Sequence, residues 1–236
     1  MNYIFYGFLV FAIGGYKFGV VDLGPLVNIA AYFLIYKGIT VLDRENVYFK
    51  KAMTWIYVLM GINGLSFFVS FLNVFFIGLL IGLVTFVFDI LVIYNVIKGI
   101  QTYSDRLTDK KLPARLFKNW LIKTVLMTII LIVVGIAFIS VVKTISLEVL
   151  RSLISTFRAA DPNTYGAIVM DNLEVLQSII PIFVFGGLLV AGLGIAAFIF
   201  EILFLVSMFK IQDEYQRNKA LEAFNAMNSE EPKDLQ

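Results

Sequence analysis

The chain contains no cysteine and no histidine. Those two absences remove disulfides, thiolate nucleophiles, Cys/His zinc sites, rhomboid-type Ser–His chemistry and the commonest general base. Charge is scarce as well. Asp, Glu, Lys and Arg make up 15% of the 236 residues, where a soluble domain carries about a quarter. A net charge of +2 is too weak to suggest nucleic acid, and no basic segment interleaved with aromatics argues for it. No phosphate-cradling GxxxxGK[ST] loop, dinucleotide glycine fingerprint or HExxH helix occurs. Two acids inside apolar runs could suggest a membrane aspartyl protease, but one of them is glutamate and no GxGD motif is present. The expectation is a protein that is not an enzyme and has no cofactor, no metal site and no nucleic-acid partner.

What the chain has is hydrocarbon: 60% of its residues are hydrophobic and mean hydropathy is +0.88. Five apolar runs, at about 18–36, 52–71, 75–97, 119–142 and 180–209, are each long enough to cross a bilayer core of about 30 Å at roughly 1.5 Å per residue. Trp55 and Trp120 stand just inside two of them, shortly after lysines, where amphipathic rings favour the interface. The fold class expected is all-α, a polytopic membrane helix bundle. Residues 1–211 form one transmembrane domain and 212–236 a polar tail. The opening "MNYIFYGFLVFAIGG" has no positive n-region and no clear cleavage site, so it reads as retained structure rather than a signal peptide. Its apolar part, 3–13, covers only about 17 Å as helix. A half-helix, an interfacial helix and a tilted sixth span all fit it.

Orientation follows from the basic residues between the runs. Lys37, Arg44, Lys50 and Lys51 lie in 37–51; Lys98, Arg106, Lys110, Lys111, Arg115, Lys118 and Lys123 lie in 98–123. Only Asp43, Glu45, Asp105 and Asp109 oppose them. The segment "SFLNV" between the second and third spans is uncharged, and 143–177 has three bases against four acids. Both basic loops and the C-terminus are therefore expected in the cytoplasm. Segment 144–177 is expected to be an external helical cap. One apolar face comprises Leu147, Leu150, Leu153, Ile154 and Phe157, the turn is "ADPNTYG", and a second face comprises Ile168, Val169, Leu173 and Leu176. The Pro181 and Gly186-Gly187 region suggests a bend. The tail from Gln212 is expected to be a frayed, solvated helix.

One phrase recurs. "NIAAYFLIYKGI" from Asn28, "DILVIYNVIKGI" from Asp89 and "EILFLVSMFKI" from Glu201 each open on a polar residue and reach a lysine (Lys37, Lys98, Lys210) nine positions on. With the lysine at the interface, the polar residue lies about 13 Å deep. On the same face above it stand small residues: Gly78, Gly82 and Thr85 before Asp89, and Gly187, Ala191, Gly194 and Ala197 before Glu201. Such stripes let helices approach closely in lipid. "KGITVLDRENVYFKKAMTWI" is echoed by "KGIQTYSDRLTDKKLPARLFKNWLI", which suggests divergent parallel repeats; shared membrane-helix composition explains the likeness equally well. Parallel repeats in transporters place binding sites near the midplane.

An intramembrane carboxylate is expensive unless paired, hydrated or protonated, so Asp89 and Glu201 are the candidate ion- or ligand-binding residues, with Asn28 their uncharged counterpart. Pairing with Lys123 is the structural alternative. Asn63, Ser66, Ser70 and Asn73 form a polar stripe on the second span, suited to a hydrated path or, more economically, to interhelical hydrogen bonds. Thr124 and Thr128 are expected to bond their own helix backbone.

The stretch "YGFLVFAIGGYKFGVVDLGPLVNIAAYFLIYKGI", with its aromatic start, Asp22-Leu-Gly-Pro25 turn and "AYFLIYKG" helix, resembles the N-terminal part of small, uncharacterised polytopic proteins of Gram-positive bacteria. The resemblance implies a bacterial plasma membrane and carries no function. From the residues themselves the leading expectation is a small cation- or proton-linked permease or channel. Its rival is a non-catalytic membrane subunit or scaffold. The bilayer is the certain partner, and a second copy or another membrane protein is the further one expected.

Overall fold

The computed structural model describes residues 1–14, 17–18, 21–70, 75–145, 148–149, 152, 155–156, 159, 161 and 164–229. In chain order these form α1 (Asn2–Ile13), a two-stranded antiparallel ribbon of β1 (Lys17–Phe18) and β2 (Val21–Asp22), α2 (Gly24–Asp43), α3 (Val47–Ser70) and α4 (Phe75–Gln101). A 3₁₀ turn (Ser104–Arg106), α5 (Leu112–Thr144), α6 (Tyr165–Asp171) and α7 (Leu173–Ser229) follow. Apart from the ribbon, the regular structure is helical, and α2, α3, α4, α5 and α7 are long and apolar enough to cross a membrane.

The helices are longer than the apolar runs because their ends continue into polar sequence. The first span is the exception. Phe18, Val21 and Asp22, expected inside it, lie in the ribbon, and the helix begins only at Gly24. Pro25 sits in the first turn of α2, where its fixed φ suits the helix and its missing N–H costs nothing. Asn46 caps α3: its Oδ1 accepts from the amides of Tyr48 at 3.0 Å and Phe49 at 3.4 Å.

The chain forms two compact units, residues 1–121 with 201–236, and residues 122–200. In the first, α1 runs antiparallel to α2, which packs on α3, which packs on α4. A methyl added at Gly38 would stand 2.7 Å from the amide nitrogen of Ile4, and one at Gly7 would stand 2.8 Å from the carbonyl oxygen of Ala31. The two backbones meet there because glycine leaves room. On the α7 side, Phe5 and Phe8 meet Phe209 and Phe204 at ring-centroid distances of 5.7 and 5.1 Å. The N-terminus thus lies at the end of the unit that holds the basic loops, with Lys37 Nζ 4.6 Å above the Tyr3 ring.

The core of this unit is concentrated toward the same end. Phe49, Ile97, Ile100, Leu116 and Ile211 are fully buried, and the Phe49 ring occupies the space a side chain at Gly99 would need. Polar contacts tie the loops together. Tyr103 donates to Asp43 at 2.6 Å, and Asn46 to Thr102 at 2.9 Å. Glu214 Oε2 accepts from the amides of Thr108 (3.1 Å) and Asp109 (3.3 Å), Asn218 donates to the Arg106 carbonyl at 2.5 Å, and Gln216 donates to Asn2 at 2.9 Å. The start of the tail is consequently docked rather than frayed: Ile211 is buried and Tyr215 packs on the core. Exposure becomes continuous only from Lys219.

In the second unit, Val141 and Ile145 near the end of α5 form a buried cluster with Ile179, flanked by Val175, Leu176 and Ile182 of α7. Of the second apolar face expected in 144–177, Ile168 and Val169 belong to α6, whereas Leu173 and Leu176 open α7. A turn at Asn172 splits the face. Leu147, Leu150, Leu153, Ile154 and Phe157 lie outside the described residues. The α7 helix passes Pro181, Gly186 and Gly187 without interruption.

Candidate functional site: polar pairs among three spans

The site is built from three helix faces. On α2, Asn28 and Tyr32 are four residues apart and share a face. On α3, Asn63 is buried. On α4, Asp89 is half-buried. Asn28 Nδ2 donates to Asn63 Oδ1 at 3.1 Å, and Asn63 Nδ2 donates to the Leu59 carbonyl of its own helix at 2.9 Å. One turn along α2, the Tyr32 hydroxyl donates to Asp89 Oδ1. Tyr32 is itself buried, its ring meeting Phe11 edge-on at 4.6 Å.

The chemistry of these pairs differs. An amide pair between helices satisfies two groups that hydrocarbon would leave orphaned, and is worth about 0.6 kcal/mol in membrane settings. This is the interhelical bonding foreseen for the α3 stripe. A carboxylate bonded by a phenol holds an acceptor that protonation would alter. Lys98 Nζ lies 5.1 Å from the Phe117 ring centroid and 5.9 Å from that of Tyr94. Nine residues separate it from Asp89, about 13 Å along the helix.

Asn28 and Asp89 are therefore joined to partners the sequence reading did not pair with them, and Tyr32 was missed altogether. Its spacing of four from Asn28, within the recurring phrase, is the signal that could have found it. Glu201 sits on the face of α7 that carries Phe204, Met208 and Ile211, all buried. It is half-buried, with Oε2 shielded from solvent. Ser66 is half-buried one turn beyond Asn63, Ser70 is the last residue of α3, and Asn73 lies outside the described residues. Lys123 is half-buried in α5. Thr128 bonds the Thr124 carbonyl at 2.9 Å, as expected.

The small-residue stripes require a correction. Among the described residues, a methyl at Gly78, Gly82, Gly187 or Gly194 would meet nothing within 4 Å. Close helix approach occurs instead at Gly7 and Gly38, where α1 packs on α2. Spacing alone does not say which small residues find a neighbour.

A second feature, unforeseen, lies at the basic-loop end. A cavity of about 310 Å³ is lined by Tyr36, Arg44, Lys50, Met53, Thr54 and Tyr57. Among the described residues no group of three or more Asp and Glu side chains could hold a metal ion.

The outward surface settles the class. Phe185, Leu188, Phe198, Ile136 and Leu80 are each more than half exposed, on helices whose apolar windows reach mean hydropathies of 2.4–3.1. An apolar surface of that extent is stable in lipid. The chain is an α-helical integral membrane protein. No protein-family model, curated protein or solved structure matches it.

Proposed function

We propose that the protein is a small cation- or proton-linked permease or channel of the bacterial plasma membrane, with its basic loops and tail in the cytoplasm. The observation that carries this reading is the Tyr32–Asp89 hydrogen bond beside the Asn28–Asn63 pair. An acid held at depth by a phenol, next to amides from two other helices, is an arrangement in which gain of a proton or cation changes how three helices are joined. Glu201, on the core-facing side of α7, is the second acid assigned to the function.

The test is flux in proteoliposomes under an imposed pH gradient. Asp89→Asn and Glu201→Gln are expected to abolish proton-coupled flux while leaving expression and folding intact. Unchanged flux in both variants would overturn the reading.

A second reading, a non-catalytic subunit or scaffold, draws on the open stripe at Gly78 and Gly82, which a partner helix would fill. Gentle-detergent purification yielding a stoichiometric second protein, lost on Gly82→Leu, would favour it.

A further inference from the structure

The cavity at the basic-loop end is made by one face of each of two helices. Tyr36 lies on α2 and Arg44 eight residues on, at its C-cap, and Lys50, Met53, Thr54 and Tyr57 lie at spacings of three, one and three on α3. Its contents are graded. The Tyr36 and Tyr57 rings pack at 5.3 Å, Met53 adds an apolar wall, and the two cations stand beside the α2–α3 connection, about two turns nearer the helix ends than the rings. Basic residues at span ends such as Lys37, Arg44 and Lys50 are expected at the interface. On that placement the cavity straddles the border between hydrocarbon and headgroups.

Two cations lining one cavity with hydroxyl-bearing rings are a recognition chemistry for a phosphate ester: the guanidinium supplies paired donors, the ammonium a point charge, and hydroxyls the remaining bonds. The acid already present does not forestall it. Glu45 Oε2 accepts from Lys50 Nζ at 2.6 Å, but the two side chains are 80% and 53% exposed, and an ion pair so exposed is weak enough to exchange. Thr54 Oγ1 donates to the Lys50 carbonyl at 3.2 Å in an exposed hydrogen bond. Asp43, the other nearby acid, is engaged by the Tyr103 hydroxyl and the Glu45 amide.

We propose that this cavity is a binding site for an anionic phosphate group, with Arg44 and Lys50 holding the phosphate and Tyr36, Met53 and Tyr57 receiving the less polar part of the molecule that carries it. Basic pockets between helices at this level suit lipid headgroups. The proposal rests on the membrane placement of α2 and α3 and is independent of any role for Asp89.

Purified protein, exchanged into nanodiscs of phosphatidylcholine with or without phosphatidylglycerol, is assayed for retained lipid by native mass spectrometry and for thermal stability. The same measurements are made in phosphatidylcholine discs with added inorganic phosphate or glycerol phosphate. Wild type is expected to retain phosphatidylglycerol and to be stabilised by it. The Arg44→Gln/Lys50→Gln variant is expected to retain it roughly thirty-fold less well, from about a five-fold loss per cation. Thr54→Trp, which fills the cavity and keeps both charges, is expected to lose retention equally, and serves if the double variant misfolds. Stabilisation by phosphatidylglycerol alone assigns a lipid headgroup, whereas stabilisation by the soluble phosphates as well assigns a free phosphate ester. Both outcomes support the site. It is overturned if Lys110→Gln/Lys111→Gln, an equal charge change elsewhere, weakens retention as much, or if Thr54→Trp leaves retention unchanged.

Discussion

Asp89 and Asn63 are both polar residues inside apolar helices, yet removing each has a different expected cost. Asn63→Leu deletes one interhelical bond and leaves Asn28 to find another acceptor, at about 0.6 kcal/mol. Tyr32→Phe keeps the ring against Phe11 and removes the donor from a carboxylate, which costs about 1.5–3 kcal/mol for a hydrogen bond to a charged group. Asp89→Asn then has less to lose in the Tyr32→Phe background. The double variant is expected to be less destabilised than the sum of the singles, as read by thermal unfolding in detergent, and strict additivity would show that the two groups do not act on one another. Asp89 was legible because an acid nine residues before a lysine in an apolar run is rare and expensive. Tyr32 was not, because a tyrosine in such a run is ordinary, and its role exists only through a partner 57 positions away. Outside the spans, Tyr103 is held above the ordinary phenol range, first by burial and then by its hydrogen bond to Asp43. A raised folded-state value means its contribution to stability is complete below about pH 10. It is lost as pH climbs through the folded value, so alkaline unfolding is expected to set in earlier for wild type, relative to its own neutral stability, than for Tyr103→Phe.

Helix existence was written in the run lengths; helix contacts were not. Five runs of about 20 apolar residues predict five spans on length alone, whereas the delayed start of α2 depends on glycines and Pro25 in a segment whose hydropathy is indistinguishable from the span itself. Stripes of small residues show the limit most directly. Gly78 and Gly82 have the spacing that favours close packing and meet nothing within 4 Å among the described residues, while Gly7 and Gly38, with no such spacing, carry a close helix approach. Gly7→Ala and Gly38→Ala are accordingly expected to lower the apparent Tm, by an overpacking cost of about 1–3 kcal/mol each. Gly78→Ala is expected to be neutral or slightly stabilising, since alanine is the better helix former by about 1 kcal/mol. Parallel unfolding curves of the three variants decide the matter. A loss of stability at Gly78→Ala matching that at Gly7→Ala would mean that α4 packs against a partner helix there. The recurring phrase behaves similarly. Its lysines lie over aromatic rings in the first two copies, Lys37 over Tyr3 and Lys98 over Tyr94 and Phe117, yet its polar residues meet dissimilar partners. The phrase does not define a repeated site.

At the scale of the whole molecule, the absence that excludes so much chemistry also makes topology measurable. With no native cysteine, every introduced one reports alone. The basic loops, the N-terminus and the docked start of the tail lie together at one end of the first unit, joined through Glu214, Gln216 and Asn218. Lysine and arginine concentrated near span ends are retained on the cytoplasmic side, so that whole end is expected to face the cytoplasm and 164–165 the exterior. Lys110→Cys and Ala220→Cys sit at exposed positions of the loop and the tail, and Thr164→Cys at an exposed position beyond α5. In intact cells a membrane-impermeant maleimide is expected to label Thr164→Cys and spare the other two. Permeabilisation is expected to bring all three to similar extents. Labelling of Lys110→Cys in intact cells would invert the protein and move the phosphate site to the opposite leaflet. Labelling of Ala220→Cys alone would separate the tail from the loops and contradict its docking through Glu214. Loss of that docking can be read independently. Glu214→Ala removes the acceptor shared by the Thr108 and Asp109 amides and is expected to speed proteolysis within 102–111 several-fold, since protection there depends on local closure. The membrane-embedded helices are expected to remain intact in the same digest.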